Sequence, residues 1–178
     1  MYKLEKMTNF YFAALLLIVF SCSSDDQSQT ADVKWSKEKS MALNKTIAKE
    51  EKLKIKLFLV QHPTWKMIET GSGLQYYIYE NGKGEIAKAG SVVDAEYSVS
   101  ELNGTLCYET EDDEVIEIVI DHSQVETGVQ EGLKKMREGD KVKMIIPSHL
   151  AHGLTGDMNK IKPLTPIVVD LHLIEILK

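Results

Sequence analysis

Cysteine is nearly absent from this chain: Cys22 and Cys107 are the only two. Long apolar runs are scarce as well. The longest is Phe10 to Phe20, eleven residues that rise roughly 16 Å as a helix, about half of a bilayer core. That run is too short to span a membrane. An excess of positive charge is also missing. Lysine and arginine number 21 against 27 acidic residues, a net charge of -6, which argues against a nucleic-acid footprint. The chain has no internal repeats. What remains is an ordinary globular composition, 43% hydrophobic and 27% charged, in 178 residues, enough for one domain and hardly two.

The N-terminus bears on location. Lys3 and Lys6, with Glu5 between them, give a weakly basic start, and the apolar run then ends at Ser21-Cys22. Val19 near -3, Ser21 at -1 and then Cys22 resemble a bacterial lipoprotein signal. On that reading residues 1–21 are removed, and the Cys22 thiol, the only group there able to take a thioether, carries the lipid. Several acyl chains on one residue anchor stably where one chain would not. Cys107 is then left without a partner, which excludes a disulfide framework. An ordinary secretory signal with a chance cysteine, or an uncleaved anchor, are the alternatives. Residues 22–36 are rich in Ser, Asp, Gln and Thr and read as a flexible tether. Ser24-Asp25-Asp26 resembles the acidic export signals of Bacteroidetes surface lipoproteins, against a plain solvated linker facing the periplasm. The expected location is a bacterial envelope membrane, the outer membrane first, on its periplasmic or surface face.

Ser36 to His62 has a helical pattern that Pro63 would stop, within a stalk assigned to residues 37–70. Met41, Ile47, Leu53, Leu57 and Val60 form its expected apolar stripe. The stalk either packs on the domain or binds a partner. Its interspersed Glu50 and Glu51 favour a solvated face over a lipid-binding one.

Strand patterns follow. Leu74–Glu80, Ser91–Val99, Leu106–Tyr108, Val115–Ile120, Lys141–Ile146 and Ile167–Leu177 are apolar or alternating, with turns at Asn81–Gly84 and Leu102–Thr105. Between them Val125, Val129, Leu133 and Met136 recur at spacings of 4, 4 and 3, one buried face of a helix that Gly139-Asp140 ends. Strands, one helix, then strands predict an α+β fold: a twisted antiparallel sheet wrapped on one short helix, preceded by an N-terminal helix.

Glu131-Gly-Leu-Lys-Lys-Met-Arg-Glu-Gly139, the strand after it, and Pro147-Ser-His-Leu-Ala-His-Gly153 are similar to the central motif of FKBP-type peptidyl-prolyl isomerases. Gly71–Tyr76, Lys88–Val93, Asn103-Gly-Thr105 and Asp170–Ile176 also fit, so the resemblance covers residues 71–178. Pro147–Gly153 with Gly156-Asp157 and Lys160-Ile161 is most like the gliding-motility-associated FKBP-type lipoproteins of Bacteroidetes. The resemblance implies a prolyl isomerase and folding helper for envelope proteins, in a motility or secretion machine. Its partners would be proline-containing clients, and it needs no cofactor or metal.

The family's pocket maps onto this chain residue by residue. Tyr97 matches the tyrosine before the Asn-Gly turn, and Ile161 in the flap is retained. The Phe-Asp pair becomes Cys107 and Tyr108, so the acidic partner is lost. The pair before the helix becomes Val125 and Glu126, the latter supplying the N–H for the substrate carbonyl. The tryptophan floor becomes Val129, a gap that Tyr108 or Tyr77 would have to fill. The flap tyrosine becomes His152 and the last-strand aromatic Val169. These losses open a second reading, a weak or inactive peptide-binding module or a structural subunit of an envelope complex. Cys107 reads as a small core residue. His149 and His152, with His122, His172 or Asp157, match no zinc spacing, so no metal site is assigned. The oligomeric state stays open.

Overall fold

A computed structural model of the chain describes residues 36–111 and 114–177. The signal and lipidation site at Cys22, and the tether as far as residue 35, lie outside the described residues.

The described part begins with helix α1, Lys37–Val60. It is followed by β1 (Ile68–Glu69), β2 (Gln75–Glu80), β3 (Val92–Glu101), β4 (Leu106–Glu109) and β5 (Ile116–Val119). Helix α2 (Thr127–Leu133), β6 (Lys141–Ile146), a 3₁₀ turn at Ser148–Leu150 and β7 (Ile167–Leu177) complete it. The strands form one antiparallel sheet in the order β1-β2-β6-β7-β3-β4, with β5 also on β3. This is the expected α+β fold. The two-residue β1 lies within 37–70, so the sheet begins before the expected boundary at residue 71.

Alternation along the strands sorts side chains to two faces. On the inner face Val93, Ala95, Val99, Met144, Ile146, Val169 and Leu171 pack against Val129, Leu133 and Met136. The face expected from the 4, 4, 3 spacing is therefore the buried one, although α2 is shorter than the pattern suggested and Val125 precedes it. Two glycines let α2 lie close to β6. A Cβ at Gly128 would come within 2.3 Å of Ile146, and one at Gly132 within 2.1 Å of the Met144 sulfur.

On the outer face Ile145 and Val168 meet Ile55, with Phe58, Leu59 and Trp65 around them. Here the expectation for α1 fails in detail. Of the predicted stripe, Met41, Leu53, Leu57 and Val60 are exposed, the last at 71%. The row that docks is Ile47, Glu51, Ile55, Phe58 and Leu59, with Glu51 and Ile55 buried. Glu51 accepts hydrogen bonds from the Ser148 amide and, at 2.9 Å, from its hydroxyl. No described helix is long and apolar enough to cross a membrane.

Candidate functional site

The long strand β3 has β7 along one edge, but its other edge is shared. Val92–Ala95 pair with β5, whereas Ser98–Ser100 pair with β4. Tyr97 sits where the partner changes. A cavity of about 310 Å³ opens at this place. Tyr97 and Val99 of β3, Val169 and Leu171 of β7, and Ile116 and Ile118 of β5 form its apolar walls. Val129 of α2, 5% exposed, is its floor. Tyr108 of β4, the Gln124–Glu126 segment, and His152 and Asp157 of the β6–β7 connection form the rim.

Seven of the eight residues anticipated for the pocket therefore line one cavity: Tyr97, Tyr108, Val125, Glu126, Val129, His152 and Val169. Ile161 does not. It is 1% exposed and belongs to the inner core beneath the connection. Tyr77 does not fill the floor either, because it stands on the outer face with its ring 6.5 Å from that of Tyr79. Val99, Ile116, Ile118, Gln124 and Leu171 were not anticipated; strand alternation places four of them without marking them as pocket residues.

The missing acid is supplied from elsewhere. Asp157, outside the pocket set read from the sequence, accepts a hydrogen bond from the Tyr108 hydroxyl. It also accepts from the amides of Asn159 at 2.9 Å and Ile161 at 2.8 Å. Desolvation raises the Asp157 carboxyl, but the bonds from Tyr108 and the three following amides outweigh it and hold the group at about 2. The same Tyr108–Asp157 bond, with desolvation adding to it, pushes the Tyr108 phenol up. Lys160 bonds the Cys107 carbonyl at 2.6 Å, and its ammonium lies 4.9 Å from the Tyr108 ring centre. Tyr108 and its loop are thus pinned from both sides.

Glu126 stands immediately before α2 with φ -56 and ψ 140, in extended backbone. Its carbonyl accepts from Gln130 at 3.1 Å. Its own N–H has no partner among the described residues, as the open end of a helix leaves it. His152 Nε2 lies 3.0 Å from Glu126 Oε1, yet that buried nitrogen makes no aligned hydrogen bond. His149 instead turns to the Ser72 carbonyl and His172 to Glu96. Among the described residues no three potential metal ligands cluster.

An apolar cavity with an unpartnered backbone donor at its rim suits an extended peptide better than acid–base chemistry. The sequence matches the family model for FKBP-type peptidyl-prolyl cis-trans isomerases over residues 83–174. The chain belongs to that family. It is 30% identical over 157 residues to a probable FkpA isomerase of Neisseria meningitidis, covering 86% of this chain and 57% of that protein. Against FkpA of Escherichia coli it is 35% identical over 118 residues, 62% of this chain and 41% of that one. The chain spans about half the length of the curated relatives it matches. The crystal structure of FkpA from Escherichia coli superposes with a TM-score of 0.63 at 24% identity, over 96% of this chain and 70% of that one. An isomerase from Pseudomonas syringae gives a TM-score of 0.62 at 23% identity, over 75% of this chain and 96% of that one. Both share the fold.

Proposed function

We propose that the chain catalyses cis–trans isomerisation of X–Pro bonds in envelope proteins, held at a bacterial membrane by lipid on Cys22. The observation that carries the reading is the coincidence of the Tyr97 cavity with the free Glu126 N–H. Rotation about X–Pro crosses a barrier of about 18–20 kcal/mol and takes tens of seconds or more uncatalysed. The twisted state has lost amide resonance and is less polar along C–N. A proline seated between Tyr97, Val129 and Val169 is withdrawn from water, which favours that state over the planar one. With the ring seated, the preceding carbonyl swings about the C–N bond, and the Glu126 N–H bonds it in its twisted position. No nucleophile, acid or base takes part, and the gain comes from binding the twisted state more tightly than the planar ones.

Clients in a gliding-motility or secretion machine are part of this proposal. It is supported by the likeness of Pro147–Gly153 to those lipoproteins and by the resemblance of Val19–Cys22 to a lipoprotein signal. A binding module without turnover is the second reading, favoured by Val129 at the floor, where an indole would grip proline more closely.

The test is exchange spectroscopy on prolyl peptides with the full chain, beside Tyr97→Ala. Acceleration that Tyr97→Ala abolishes supports the enzyme. Binding without acceleration leaves the module. For the anchor, Cys22→Ser should move the protein from the membrane to the soluble fraction, and persistence in the membrane would refute the lipid assignment.

A further inference from the structure

The rim of the cavity carries more negative charge than an apolar substrate needs. Asp157 accepts from the Tyr108 hydroxyl and the amides of Asn159 and Ile161, so most of its acceptor capacity is taken up within the chain. Glu126 differs. It lines the cavity, its side chain is 22% exposed, and its carboxylate's one partner among the described residues is His152, off the line of a hydrogen bond. A carboxylate so placed retains acceptor capacity toward a ligand. Between β4 and β5, Glu111 and Glu114 are exposed. Lys160, beside the rim residue Tyr108, is already engaged by the Cys107 carbonyl and the Tyr108 ring.

We propose that Glu126 makes the cleft selective for a proline preceded by lysine or arginine. The inference rests on the isomerase reading of the cavity. If the Glu126 amide grips the carbonyl of the residue before proline, bond lengths place that residue's Cα within about 5 Å of the Glu126 nitrogen. A lysine or arginine side chain starting there reaches the Glu126 carboxylate easily. An acidic side chain at the same place meets Glu126 and Asp157 together. An apolar one gains nothing from either. The same residue thus holds the carbonyl through its main chain and reads the adjacent side chain through its own.

The test uses the full chain and four otherwise identical peptides containing Lys-Pro, Arg-Pro, Leu-Pro or Glu-Pro. At low ionic strength Lys-Pro and Arg-Pro should exceed Glu-Pro in kcat/KM by about fivefold or more, the scale of one partly exposed charge pair. The ratio should shrink in 0.5 M salt, where screening acts over about 4 Å. In Glu126→Gln it should fall, whatever the absolute rate, to the smaller part that the fixed charge of Asp157 sets. Equal handling of all four peptides, or a preference for Leu-Pro that salt leaves untouched, overturns the charge selectivity while the isomerase stands. Absence of turnover on every peptide removes the isomerase reading instead. The selectivity is then decided by titrating the same peptides against the protein and following the Tyr97 and Glu126 amides. Tighter, salt-sensitive binding of Lys-Pro than of Glu-Pro sustains it, and equal binding rejects it.

Discussion

Glu51 of α1 and Ser148 at the start of the β6–β7 connection are 97 residues apart and share two hydrogen bonds through a buried carboxylate. The connection that begins at Ser148 runs on to His152 and Asp157 at the cavity rim. Truncating Glu51 leaves two donors in a buried place without an acceptor, at roughly 2–4 kcal/mol. Glu51→Ala should lower the urea midpoint accordingly and raise amide exchange at Ser148. Glu51→Gln, which keeps one acceptor, should recover part of the loss. An unchanged midpoint in Glu51→Ala would show that the docking of α1 is carried by Ile55 and Phe58 alone.

Tyr108 and Asp157 set an acid-side behaviour. The Asp157 carboxyl titrates at about 2 in the folded chain, below the value near 4 of an unfolded aspartate. A depressed group of this kind contributes stability above the unfolded value, and the contribution fades as pH falls toward 2. Tyr108→Phe removes the chief bond that lowers it. The Asp157 midpoint, followed by carboxyl NMR, should then move upward, and acid unfolding should lose part of its pH dependence. A midpoint that stays put would assign the depression to the loop amides.

The Val129 floor makes a gain-of-grip variant available. Val129→Trp should fill part of the cavity and add contact to a bound proline. A gain of roughly 1–2 kcal/mol corresponds to about tenfold in affinity. Overpacking against the inner core should cost about 1–3 kcal/mol of stability. Peptide titration and urea unfolding measure the two effects separately. Weaker binding in a folded variant would place the proline elsewhere.

Asp140 holds the start of β6. It is 3% exposed, and its carboxylate accepts from the amides of Gly82 and Arg137, each at 2.6 Å. Asp140→Ala strands both amides and should destabilise the domain by about 2–4 kcal/mol in denaturant unfolding. Asp140→Asn should fall between the two. A loss below 1 kcal/mol would mean that solvent satisfies both amides.

What could be read from the sequence was whatever repeats locally. Val129 and Leu133 announced the face of α2, with Met136 buried just beyond its end, and alternation announced the longer strands. Contacts between distant residues left no such trace. Glu51 sits in the middle of the row that α1 buries, and a charged residue there breaks the apolar pattern that marks a buried face. Its partner lies in another part of the chain, so Met41, Leu53 and Leu57 looked like the stripe and are exposed instead. Asp157 and Tyr108 are 49 residues apart, and neither has a neighbour that foretells the bond. Strand β1 is two residues long, too short for any period. Motif alignment brought seven pocket residues together, yet it misplaced Ile161, because a retained identity does not fix which way a flap side chain turns.

The division of one β3 edge between β4 and β5 has a consequence for how such proteins diversify. The connector between β4 and β5 follows Glu109 and ends at Ile116, which itself lines the cavity. Lengthening it closes a larger loop at only about 0.6 kcal/mol per doubling and leaves β3–β7 pairing intact. Descendants of this chain can therefore acquire new recognition surface at the mouth by insertion there, and an engineer can graft a client-binding peptide at the same point.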